Sequence, residues 1–87
     1  MNILPTDQYL GEITDCRPGH YYVSAVDGSR WFPMAGPFGS HQIALGQVTA
    51  VRTTCEALDP RSAFMAFGTV RCDMSIGPGR LNILGKI

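Results

Sequence analysis

The sequence predicts an α+β fold: one small domain in which an antiparallel sheet of three to five strands carries one helix on a face, in the order (β)ββαβ(β). Three observations predict it. Two β-branched and aromatic runs flank an Asp27-Gly28 pair, the strongest short hairpin signal. Ala44, Val48, Val51, Cys55 and Leu58 recur at helical spacing and stop at Asp59-Pro60, where the residue before proline avoids helical geometry. A second apolar strand pattern follows. With 87 residues the chain supports a single core, so residues 1–87 are read as one domain.

Taken in order, residues 1–7 read as an irregular leader containing Pro5. Residues 8–16 (QYLGEITDC) can form a strand that Gly11 weakens, and Arg17-Pro18-Gly19 is a turn signal. Residues 20–26 (HYYVSAV) and 29–35 (SRWFPMA) form the hairpin. With Asp27 and Gly28 as its loop, Val26 faces Ser29, Val23 faces Phe32 and Tyr21 faces Met34. Tyr21, Val23, Ala25, Phe32 and Met34 then share the core face, while Tyr22, Ser24, Trp31 and Pro33 point outward. Pro33 cannot donate to a ladder, so its strand is bulged there or lies on an edge.

Ser40 caps a helix over residues 40–58. Residues 61–73 (RSAFMAFGTVRCD) read as a central strand. Phe64, Ala66, Val70 and Cys72 are expected on one face, and Met65, Phe67, Thr69 and Arg71 on the other. Residues 77–87 add an edge strand through Leu81 and Ile83, or form a loose tail.

Composition narrows the function classes. Seven basic and seven acidic residues give zero net charge, which argues against a free basic nucleic-acid binder and against an acidic nucleic-acid mimic. Charged residues make up only 16% of the chain. Such a surface lacks the repulsion that keeps proteins apart and predicts self-association or a covering partner. No apolar run reaches the ~20 residues of a membrane span, and the N-terminal residues do not read as a signal peptide. Three cysteines, Cys16, Cys55 and Cys72, without a C-x-x-C pair, read as thiols in a reducing cytoplasm. His20 and His41 stand at no metal-ligand spacing from them, so neither a metal nor a cofactor is expected.

Catalysis is not expected either. No Ser/His/Asp or Cys/His set is legible, and the carboxylates form no recognisable acid–base pair. The loop Gly36-Pro37-Phe38-Gly39-Ser40-His41 before the helix lacks a phosphate-binding pattern and reads as a plain connection, with anion binding at the helix N-terminus as its alternative. Two surfaces stand out instead. Tyr22, Trp31, Met65, Phe67 and Arg71 are expected together on the outer sheet face, a set that suits a protein partner. The same residues could stack single-stranded bases, the competing reading. Gly46, Ala50, Thr53 and Ala57 line the helix face opposite the apolar stripe. All are small, so either a second copy approaches there, forming a homodimer, or short residues are merely tolerated.

Two resemblances attach to these motifs. Trp31 to Phe38 followed by Ser40 to Leu45 is similar to the second half of a peptidoglycan-binding SPOR domain, although the first half and an export signal have no match. More of the chain, residues 20–72, resembles small uncharacterised proteins of bacterial plasmids and integrative elements. The matching positions are Tyr21, Tyr22, Val23, Asp27 and Gly28 in the hairpin, and Gly36, Pro37, Phe38, His41, Ala44 and Leu45 at the helix start. Asp59, Pro60, Arg61, Phe64, Phe67, Gly68 and Thr69 complete the pattern. That resemblance implies a mobile-element setting and supplies no catalytic residues. The expectation is therefore an intracellular, non-enzymatic protein-binding module of a mobile element or phage, by analogy an inhibitor of a host defence complex (anti-CRISPR-like). An accessory nucleic-acid binder is the alternative.

Overall fold

A computed structural model describes residues 7–9, 15–28 and 30–86. It shows an α+β domain: β1 (Asp7–Tyr9), β2 (His20–Asp27), β3 (Arg30–Phe38), α1 (His41–Leu58), a 3₁₀ turn (Pro60–Phe64), β4 (Ala66–Cys72) and a single helical turn, α2 (Arg80–Ile83). The sheet is antiparallel throughout, in the order β1-β4-β2-β3. Residues 1–6 of the expected leader and residues 10–14 of the expected first strand lie outside the described residues, while Asp7, expected in the leader, opens β1, and residues 15–16, expected in the strand, are not part of one. Among the described residues no helix is long and apolar enough to cross a membrane.

β2 is a central strand, and Tyr21 through Ala25 are buried on both of its faces. β4 is also central, with Phe67 through Cys72 buried. β3 occupies an edge, where Pro33 and Pro37 leave no ladder bond broken on an inner strand. The hairpin register differs from the expected one. Asp27 is extended and pairs with Arg30, and Gly28 turns the chain with φ 63°. An Asp-Gly type I′ turn needs positive φ at both residues, and among the described residues no non-glycine adopts it. Trp31 therefore faces Val26, and Phe32 faces Ala25. Register shifts on either side of Val23 then put Ala35, not Phe32, opposite it, and Phe38, not Met34, opposite Tyr21.

α1 packs its Ala44, Val51 and Cys55 stripe against the sheet, over Val23, Ala25, Ala35 and Phe67. Ser40 caps it, its hydroxyl accepting from the Ile43 N–H at 3.2 Å. Leu58, the expected last member of the stripe, is half exposed. The other sheet face is covered too. Tyr22, Val70 and Cys72 are buried there, with Trp31 and Ile76 packed on them. The Tyr22 hydroxyl donates to the Gly77 carbonyl at 2.8 Å and accepts from the Ile76 N–H at 3.2 Å. This ties the chain after β4 to that face.

Two further expectations are corrected. The strand expected over residues 61–73 begins only at Ala66, because Asp59 caps a 3₁₀ turn that Pro60 opens. Phe64 therefore points into solvent. Residues 77–87 add neither a strand nor a loose tail across the described part. Leu81 of α2 is 1% exposed, the Gly79 N–H donates to the Gly36 carbonyl at 3.1 Å, and the Gly36 N–H donates to Asn82 Oδ1 at 2.9 Å. Gly79 is required there: a Cβ on it would lie 2.5 Å from the Ala35 backbone nitrogen.

Candidate functional site

The expected outer-face set does not exist as a surface. Tyr22 is fully buried, its hydroxyl engaged as described above. Trp31 is half-buried against the same cluster. Met65 and Phe67 lie on the opposite side, in the core beneath α1. Arg71 is 8% exposed and also faces that side, beside Tyr21. Its guanidinium donates to the Pro18 carbonyl at 2.6 Å and pairs with Asp73 at 2.7 Å. The five residues are thus divided between two sheet faces, because the pairing of β4 with β2 sets Phe67 and Arg71 beside Ala25 and Tyr21, opposite Tyr22. Gly46, Ala50, Thr53 and Ala57 are all exposed on α1. The Thr53 hydroxyl is turned back on the helix, donating to the Thr49 carbonyl at 3.0 Å.

The loop before α1 ends in a buried polar knot. His41 is fully buried and stacked on Tyr21, ring centroids 5.2 Å apart and planes 6° from parallel. Its Nδ1 accepts the Asp15 N–H at 2.7 Å, which places the proton of the neutral ring on Nε2, where it donates to Thr69 Oγ1 at 2.7 Å. Burial pushes the His41 pKa down, and the Asp15 carboxylate opposes that only in part. The Tyr21 hydroxyl donates to the Arg17 carbonyl at 2.6 Å. Both ring nitrogens of His41 are therefore used in holding the 15–19 turn, α1 and β4 together.

A cleft of about 610 Å³ opens at the other end of α1, between the hairpin tip, the 3₁₀ turn and α2. Its floor comes from Phe32, Met34, Cys55, Met65 and Leu81. Phe64, Leu58 and Leu84 rim it, at 91%, 49% and 62% exposure. The turn that carries Phe64 is closed by hydrogen bonds on both sides. The Asp59 side chain accepts the Arg61 N–H at 3.0 Å, the buried Ser62 anchors the turn, and the Met65 N–H closes it on the Ser62 carbonyl at 3.1 Å.

The charges around the cleft are Asp27, Arg30, Asp59, Arg61 and Arg80. Arg61 is committed to Asp59 at 3.0 Å, and its hydrogen bonds hold the Asp59 carboxyl below the usual range. Arg30 and Arg80 instead lie over the Phe32 ring, 5.5 and 4.5 Å from its centroid. Neither makes an ion pair among the described residues. The thiol in the floor, Cys55, is pushed up in pKa by burial and then by Glu56. It stays protonated and is a poor nucleophile. No cluster of metal-ligating side chains occurs among the described residues. An apolar floor, an exposed aromatic and two guanidinium groups over Phe32 equip the cleft for binding.

Sequence reading missed this cleft because it is assembled from the 3₁₀ turn and α2. The signal was present in Asp59-Pro60-Arg61-Ser62: an Asp cap followed by proline starts a helical turn, which takes Phe64 out of the strand alternation. Comparison with protein families, curated proteins and solved structures finds no match to the chain.

Proposed function

We propose that this chain is a small non-enzymatic protein-binding module that docks its partner at the cleft between the hairpin tip, the C-terminal end of α1 and α2. The observation that carries this reading is Phe64, an aromatic ring 91% exposed on a capped turn at the rim of an apolar cleft. Burying such a ring stabilises a complex by about 1.5–3 kcal/mol. Aromatic, Met and Arg side chains around a desolvated centre are the usual makeup of a binding hot spot. Phe64, Phe32, Met34, Met65, Arg30 and Arg80 supply that set here. An intracellular setting in a bacterial mobile element or phage belongs to the same proposal. So does action on a host defence complex. Both rest on the resemblance of residues 20–72 and on analogy with short proteins that work by occupying a surface of a larger machine.

The test compares the tagged parent with Phe64→Ser in a nuclease-treated bacterial lysate, with mass spectrometry of what is retained. The parent is expected to hold a stoichiometric protein through moderate salt. Phe64→Ser loses that protein while melting within a few degrees of the parent, since its side chain contributes little to the fold. Equal retention by both removes the cleft from the reading. Loss of every partner on nuclease treatment, with binding that falls steeply with salt, moves the function to nucleic acid.

A further inference from the structure

We propose that the partner segment this cleft takes is a peptide carrying a carboxylate beside an aliphatic side chain, the carboxylate held by Arg30 and Arg80. The proposal rests on the docking reading above and names the chemistry of the occupant. It starts from how the arginines are used. Arg17, Arg61 and Arg71 each hold a carboxylate of this chain, from Asp15, Asp59 and Asp73. Arg52 lies over Phe67 on the helix side. Arg30 and Arg80 are far apart in sequence, converge on one ring, Phe32, and pair with no carboxylate among the described residues. A guanidinium held over an aromatic ring by cation–π attraction still has N–H donors to offer a ligand. Those donors match a carboxylate in a two-pronged contact, and the ring contact narrows where they lie before the ligand arrives.

The rest of the cleft decides between carboxylate and phosphate chains. Met34, Met65 and Leu81 make an aliphatic floor, which accepts a Leu, Met or Ile side chain. Asp27 and Asp59 stand on the same cleft. Asp59 is neutralised by Arg61, so Asp27 is the carboxylate that opposes a run of evenly spaced phosphates while leaving room for one carboxylate at the arginine pair. A phosphate backbone is therefore disfavoured where a single acidic residue is not.

The experiment selects short random peptides displayed against the purified full chain and measures the affinity of enriched sequences by fluorescence anisotropy. Asp or Glu next to an aliphatic residue is expected to dominate the enriched set. Arg30→Glu or Arg80→Glu is expected to weaken a selected peptide about tenfold or more, as is replacing its acidic residue by the amide. Phe64→Ser weakens it as well. Thermal melting accompanies each variant, and Arg80→Gln replaces Arg80→Glu if the reversal lowers the melting temperature. Peptides that need Phe64 but are indifferent to charge reversal and to the amide overturn this proposal while leaving the docking reading intact. No enrichment, or peptides indifferent to Phe64→Ser, overturns both. Displacement of a selected peptide by an equimolar oligothymidylate overturns the choice of a peptide over a nucleic acid.

Discussion

Replacing Gly79 with alanine isolates what α2 contributes. Gly79 sits at φ −65°, a backbone any residue adopts, so the substitution carries no torsional penalty and acts through space alone. Its new Cβ would lie 2.5 Å from the Ala35 nitrogen, and 2.6 Å from both the Ala35 Cα and the Met34 carbonyl carbon. All three are backbone atoms of a strand held in the sheet, so α2 must move instead. Its retreat breaks the Gly79–Gly36 and Gly36–Asn82 hydrogen bonds, at about 1 kcal/mol each. It also uncovers Leu81, now 1% exposed, at about 1.5–3 kcal/mol. The combined loss is about 3–5 kcal/mol, a large part of the ~5–15 kcal/mol that holds a domain folded. An unfolding entropy of about 2.1 cal/mol/K per residue over 87 residues turns that into a fall in Tm of roughly 16–27 °C. Circular dichroism reads the melt, and hydrogen exchange reads the Gly36 amide, which should lose protection in the variant. A melt within about 3 °C of the parent, or a Gly36 amide still protected, refutes the close approach. Gly46→Ala is the counterpart: its Cβ meets nothing within 4 Å, so it should stabilise by about 0.5–1 kcal/mol through helix propensity alone.

Other substitutions test separate parts of the molecule. Tyr22→Phe removes the hydroxyl that bridges Gly77 and Ile76, so it should cost about 1–2 kcal/mol, with faster exchange at Ile76. Unchanged exchange there would mean the segment after β4 is held some other way. His41 supplies a pH dependence. Its pKa in the folded chain lies below the ordinary 6.5, so the unfolded chain takes up the proton first. Its contribution is complete above about pH 6.5 and is lost as pH falls from there to the folded pKa. The urea midpoint should therefore drop from neutral to mildly acidic pH in the parent and flatten over that interval in His41→Gln; a flat parent profile contradicts the buried neutral ring. Ala50→Glu tests self-association through the small-residue face of α1. A lower native mass than the parent's supports that face, and an unchanged one removes it.

The elements were legible where one periodicity dominates. The spacing of Ala44, Val51 and Cys55, with Ser40 ahead and Asp59-Pro60 behind, specifies α1 almost residue by residue. The faces of β2 were legible too, since Val23 and Ala25 do meet the helix side. β4 was not, for a physical reason. Both its faces are apolar, and alternation then says which residues share a face but not which face meets α1. Val70 and Cys72 went to the Tyr22 side and Phe67 to the helix side, which dissolved the expected outer patch. The hairpin register failed because Asp27 belongs to the strand. The cleft was illegible as a unit because Arg30, Phe64 and Arg80 are distant in sequence and meet only through the 3₁₀ turn and α2.

The placement of α2 along β3 bears on how the protein avoids sticking to copies of itself. An outermost strand with free main-chain groups is a template on which another chain can extend the sheet, the first step toward fibrils. Here that strand has two prolines, Pro33 and Pro37, with no N–H to offer. At Gly36, between them, both main-chain groups are already consumed by Gly79 and Asn82. The final helical turn thus blunts a border that a chain with so little charge could not protect by repulsion. Truncation before Gly79 would reopen it, and the cut chain should aggregate before it unfolds.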